Sequence, residues 1–302
     1  MTAALCALEA ARIDAADVTR IDGVTLESTG ERLALVGEWQ SLFSLLAGQA
    51  ELTRGKATLH GCDAATAVAA GVVGLSLCDA PMTSDGTAAQ WVAMGARLCG
   101  LGSRDADRAA REALSTLGLA MLGARRLSSL GVVERRAVCI AQATLGNPPV
   151  LALEEPLTGL DVAAQQYLAV VVDRAATGRR LLISMPRVPA AGHERAEAAR
   201  AGELWLLDAR GSVVSIGAAD IDAAAHVYSI FAARNGAALA ARLAESGIAC
   251  SPAAAPPNEA GAARFLARLP EGVDTGTVLD ASLAVDAPIV ELVPFGRFDS
   301  RA

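Results

Sequence analysis

Between Val150 and Asp161 the sequence reads VLALEEPLTGLD, and no other stretch restricts the fold as tightly. Its first four residues are apolar and predict a short buried strand. The breaker Gly146-Asn147-Pro148-Pro149 sets that strand off from a helix over Glu134–Leu145. Two adjacent carboxylates, Glu154 and Glu155, end the strand, and a helix follows from Val162 to about Thr177. A buried strand that runs straight into acidic residues delivers charge to one edge of a sheet, where open α/β folds bind their ligands. An isolated Glu-Glu pair would read instead as a solvated turn.

The rest of the chain fits such a sheet. Its 302 residues suffice for one large domain and a small one. Apolar residues make up 53% and aromatic ones 3%, a balance that suits helices packed on a sheet and excludes a disordered chain. A net charge of −7 argues against a nucleic-acid partner. The six cysteines are scattered with no close pair, so buried thiols are expected rather than a disulfide framework or a zinc site. His60, His193 and His226 are equally dispersed, and no metal site is expected. No apolar stretch approaches the ~20 residues of a membrane-spanning helix. The first residues lack the basic and apolar regions of a secretory leader, so a soluble cytosolic protein is expected.

Short apolar runs alternate with helical patterns, which predicts an α/β architecture. Strands are expected at Glu31–Gly37, Lys56–Leu59, Gly71–Leu77, Leu181–Ser184 and Leu204–Leu207. Helices are expected at Thr87–Leu101 and Asp105–Leu119, and a hairpin turn at Ala209–Ser212 leads into Val213–Ile216. A boundary falls near Gly217–Ala225. The tail then reads as strand Val227–Phe231, helix Ala237–Gly247, a Pro- and Ala-rich loop over Ser251–Glu259, strand Arg264–Leu269, helix Thr275–Ala284 and strand Ile289–Leu292. That succession predicts a small α+β, ferredoxin-like module over 221–302.

The run from Leu145 to Asp161 resembles the Walker B strand, catalytic glutamate and D-loop of ATP-binding-cassette (ABC) ATPases. Val24–Gly37 is similar to the two family strands that lead into a phosphate loop. Leu45–Gly48 and Arg54–Gly61 are similar to the helix end and hairpin beyond it. The resemblance covers about residues 17–220 and implies a P-loop NTPase-like α/β fold over 1–220, with a helical subdomain at about 79–135. By resemblance Glu155 is the catalytic residue that polarises the attacking water, and Glu154 stands where an aspartate holds Mg²⁺ through a water. Asp161 is the D-loop aspartate, although such a residue also reads as the N-cap of the following helix. What remains of the phosphate loop is Gly37, Gln40 and Ser41. ATP and Mg²⁺ are the implied cofactors. The implied partners are a transmembrane permease and a homologous or identical ATPase subunit, on the cytoplasmic face of the inner membrane.

The residues depart from the family at nearly every nucleotide contact. A phosphate loop needs GxxxxGK[ST], whose backbone N–H groups and lysine surround the phosphates. Here Val36-Gly37-Glu38-Trp39-Gln40-Ser41 is several residues short, and Trp39 or Gln40 holds the lysine position. Glu38 adds an anion, and Trp39 is expected to plug the emptied pocket. Leu130-Gly131-Val132-Val133-Glu134 replaces LSGGQ, Cys78 replaces the Q-loop glutamine, and Met185-Pro186 replaces the switch histidine. Each lost charge-assisted hydrogen bond costs ~1.5–3 kcal/mol, so ATP should bind ~10²–10⁴-fold more weakly than usual. A degenerate pseudo-ATPase partner subunit is therefore expected. The alternatives are a divergent working ATPase that relies on Glu155, and a non-transport scaffold.

Overall fold

The computed structural model describes residues 3–15, 21–83, 85–189, 191–207, 213–217, 221, 226–253, 261–270 and 272–294. The hairpin turn expected at Ala209–Ser212 and most of the expected boundary lie outside them.

A six-stranded sheet forms the centre. It contains β3 (Arg32–Gly37), β6 (Val73–Ser76), β7 (Val150–Leu153), β8 (Arg180–Met185), β9 (Glu203–Leu207) and β10 (Val213–Gly217), in the order β10-β9-β3-β8-β7-β6. All neighbours are parallel except the edge pair β9–β10. Alternate residues enter different cores: Leu151 and Leu153 face one apolar cluster, Val150 and Ala152 the other. Burial on both faces explains the uninterrupted apolar runs. The first cluster is shared with the helices α3 (Ala88–Leu98), α4 (Ser103–Thr116), α5 (Val132–Ala143), α6 (Val162–Ala176) and α7 (Gly192–Arg200).

A smaller antiparallel sheet covers the other face. It has the order β2-β1-β4-β5 and comprises β1 (Cys6–Asp14), β2 (Ile21–Ser28), β4 (Glu51–Leu59) and β5 (Cys62–Asp63). Between it and the central sheet lie α1 (Gln40–Leu46) and the short α2 (Ala64–Ala67), whose apolar residues share the second cluster.

Local signals set the helix starts. Thr87 and Gln90 form a capping box before α3, with bonds of 3.3 and 2.8 Å. Asn147, at φ +54°, lies in the turn that closes α5.

The tail carries a third sheet, ordered β12-β13-β11-β14, from β11 (Val227–Ala232), β12 (Ala249–Ala253), β13 (Ala263–Arg268) and β14 (Ile289–Pro294). Neighbours are antiparallel throughout, which is the ferredoxin-like order. Helices α8 (Gly236–Glu245) and α9 (Thr275–Ala284) cover one face through Leu239, Leu243 and Val278. From the tail, Val227 and Leu266 join Ile216 and Ile221 in the first central cluster.

Several elements differ from the sequence expectations. Strand β1 and helix α7 were not expected, and β12 takes in Ser251–Ala253, the start of the expected loop. Met185 is inside β8 and buried rather than beyond the strand. Among the described residues no helix is long and apolar enough to cross a membrane.

Candidate functional site

The parallel strands β3, β6, β7 and β8 all end along one edge of the central sheet, and this edge gathers Gly37, Cys78, Glu154, Glu155 and Ser184. The chain leaves β3 by an abrupt turn. Gly37 has φ +98°, and a Cβ built on it would lie 2.0 Å from the Leu207 carbonyl oxygen, so only glycine fits. The next N–H, of Glu38, donates to Leu207 O at 3.0 Å, and the N–H of Trp39 donates to Gly37 O at 2.9 Å. Helix α1 then begins at Gln40.

Trp39 does not plug the site. It is fully buried in the second core cluster with Leu42 and Phe43, its ring centroid 6.0 Å from that of Trp205. Its indole N–H donates to the carbonyls of Val36 and Trp205, both at 3.1 Å. The largest side chain at the turn is therefore used to close the core, as burial of so much apolar surface favours.

Gln40 turns the other way and donates from Nε2 to Glu155 Oε1 at 3.4 Å. Ser41 is fully buried, and its hydroxyl has no hydrogen-bond partner. The acidic pair splits in direction. Glu154 accepts the Cys78 N–H at Oε2, 3.2 Å, while Glu155 faces Gln40. Glu155 has φ +42°, a left-handed conformation rare for a residue with a long side chain, and its N–H donates to Ser184 Oγ at 3.0 Å. Burial raises the carboxyl of Glu154 above its ordinary value. Burial also raises Glu155, and the neighbouring Glu154 charge pushes it the same way.

Of the remaining motif positions, Cys78 lies at this edge, while Asp161 and Gly131 bond within their own helix starts. Asp161 caps α6 by accepting the Ala164 N–H at 2.9 Å. At the start of α5 the Gly131 N–H donates to Glu134 Oε2 at 3.0 Å, and Arg125 pairs with the same carboxylate. Val132 stands exposed there. The Cys78 thiol is pushed up to about 11 by burial and is therefore protonated at neutral pH.

Two residues at this edge were not singled out by sequence reasoning. Ser184 lies one residue before the end of β8 without any motif to mark it. Arg136 lies two residues beyond the Leu130–Glu134 run, and its guanidinium reaches Cys78, Pro156 and Thr158.

The parallel sheet flanked by a helical layer and an antiparallel sheet, with an acidic pair at the strand ends, defines an ABC ATPase domain fold. A chain of a metal-chelate type ABC transporter in an inward-facing conformation superposes with a TM-score of 0.59, at 17% identity, over 89% of this chain and 98% of that one. The ADP conformation of an ATP-binding cassette of an ABC transporter gives 0.59 at 15% identity, over 73% and 94%. In sequence, the molybdenum import ATP-binding protein ModC of Brucella suis is 36% identical over 120 residues, 39% of this chain and 32% of its own length. The arabinose import ATP-binding protein AraG of Burkholderia pseudomallei is 29% identical over 179 residues, 55% of this chain and 35% of its own length. The chain thus spans about a third of the length of these curated relatives. No family model matches. The chain carries the fold of the ATP-binding subunits of ABC transporters and resembles them in sequence.

Proposed function

We propose that this chain is a subunit of an ABC transporter whose own nucleotide site is vestigial. It acts as a pseudo-ATPase that pairs with a homologous ATPase subunit and a transmembrane permease at the cytoplasmic face of the membrane. One observation carries the reading. Between β3 and α1 there is no loop to receive a phosphate, and the N–H groups of Glu38 and Trp39 donate to protein carbonyls. The residues present do not fit ATP. The lysine position is held by Trp39, which is turned into the core, or by Gln40, which is bonded to Glu155, and Glu38 adds an anion beside them. Glu155, which would polarise a water in an active relative, is held by Gln40. Glu154 and Asp161 are engaged by Cys78 and by the start of α6.

A partner surface is consistent with the transporter setting. A cleft of about 450 Å³ in the helical layer is lined by Ala89, Arg111, Leu114, Ala120 and Gly123, with Met121 exposed beside it.

Phosphate release from Mg-ATP tests the catalytic half of the proposal. Wild type and Glu155→Gln are expected to be indistinguishable from buffer. A wild-type rate that disappears in Glu155→Gln would establish a divergent working ATPase instead. Purification from membranes tests the other half: a permease should accompany the chain, and a purely soluble partner set would support the scaffold reading.

A further inference from the structure

The segments that follow β6 and β7 are joined by a side chain belonging to neither. Arg136, in the second turn of α5, donates from Nη1 to the carbonyls of Thr158 at 2.6 Å and Pro156 at 3.4 Å. From Nη2 it donates to Cys78 Sγ at 3.0 Å. Cys78 itself donates its N–H to Glu154. The Thr158 hydroxyl continues the chain by donating to Glu194 on α7 at 2.9 Å. A guanidinium presents its donors in a rigid planar fork, so three acceptors from two loops fix the spacing of those loops. A lysine at 136 would offer a point charge and could hold only part of this arrangement.

We infer that Arg136 is a positioning residue, a clamp built into the chain that holds the loop after β6 and the loop after β7 in one arrangement without a ligand. The inference rests on the vestigial-site reading, because it takes the clamped state as the resting state of this edge. The clamp links α5 in the helical layer to both loops that flank the acidic pair. Glu154 is fixed through Cys78, and the Pro156–Thr158 turn through its carbonyls.

Amide hydrogen exchange on the full chain tests it, with wild type, Arg136→Gln and Arg136→Lys compared over 77–83 and 154–160. Arg136→Lys keeps the whole aliphatic stem, and Arg136→Gln keeps its first two methylenes. Both loops should exchange slowly in wild type. Arg136→Gln should quicken the two loops together by about tenfold or more, the change that ~1.4 kcal/mol produces. Arg136→Lys should restore one loop and leave the other fast. Segments of the C-terminal sheet should not change. Unaltered exchange in either loop of Arg136→Gln overturns the clamp; if that variant does not fold, unaltered exchange in both loops of Arg136→Lys does so. Added Mg-ATP separates the two proposals. Wild-type loops that tighten with nucleotide, while Arg136→Gln still loosens both, would keep the clamp and defeat the vestigial-site reading.

Discussion

The α-carbon of Gly37 packs so closely on Leu207 that a single added methyl would lie 2.0 Å from the Leu207 carbonyl oxygen. This contact joins the ends of β3 and β9. Gly37→Ala should therefore cost ~3 kcal/mol or more, through backbone displacement and a left-handed φ together. Gly48→Ala is the control, since its φ of +71° is similar but nothing lies within 4 Å of the added carbon. It should cost only ~1–2 kcal/mol. Urea midpoints of the two variants give the comparison, and equal losses would remove the argument for close approach.

Trp39 should behave as a core residue. Trp39→Ala is expected to cost ~3–5 kcal/mol, the range for an aromatic removed from a packed interior. Trp39→Phe keeps most of the volume but leaves the carbonyls of Val36 and Trp205 without the indole donor, and should cost ~1–3 kcal/mol. Thermal unfolding measures both. A loss within about 0.5 kcal/mol for the alanine variant would be that of a surface position.

The acidic pair sets a pH dependence whose sign is opposite to that of a salt-bridged carboxylate. Burial raises Glu154, and burial with the Glu154 charge raises Glu155, so the folded protein disfavours the ionised forms. Their stabilising contribution is complete below the ordinary glutamate value of about 4.3 and is lost as pH rises through the raised folded value. Glu155→Gln stays neutral throughout. Its melting temperature should exceed that of wild type at pH 7 and converge on it toward pH 4. A variant less stable at pH 7 would mean that the Gln40 contact outweighs burial.

How much of this was legible in the sequence depended on the kind of signal. Strands such as Val150–Leu153, buried on both faces, announce themselves as apolar runs. Strand β1 does not, because its register breaks between Leu8 and Ile13 and Ala10 takes a positive φ. Helix α7 has no apolar stripe to read: its buried residues are Glu197 and Ala198. In β12, Pro252 argued for a loop, yet an edge strand tolerates proline. At the site, a missing lysine or serine is visible as a letter. The direction of Trp39 and the reach of Arg136 are not, because sequence gives residue types and spacing but not which way a side chain turns.

Glu197 illustrates the same limit and carries a prediction of its own. Its side chain is 1% exposed, paired with Arg32 at 3.3 Å and with Arg200. The Arg32 tie joins α7 to the start of β3, while the Arg200 tie lies within α7. Glu197→Ala should cost ~1–3 kcal/mol, since it removes a buried carboxylate from two partly exposed arginines that keep Asp173 as a second partner. Denaturant unfolding checks it, and a change below ~1 kcal/mol would place the pair in the class of screened surface bridges.

The central claim is that the chain binds no nucleotide of its own, and equilibrium titration with fluorescent ATP in the presence of Mg²⁺ tests it most directly. If the nucleotide site is vestigial as proposed, the expected result is no saturable signal, which corresponds to a Kd weaker than roughly 1 mM. Saturable binding with a Kd in the low micromolar range (about 8 kcal/mol of affinity) by the isolated chain would contradict it.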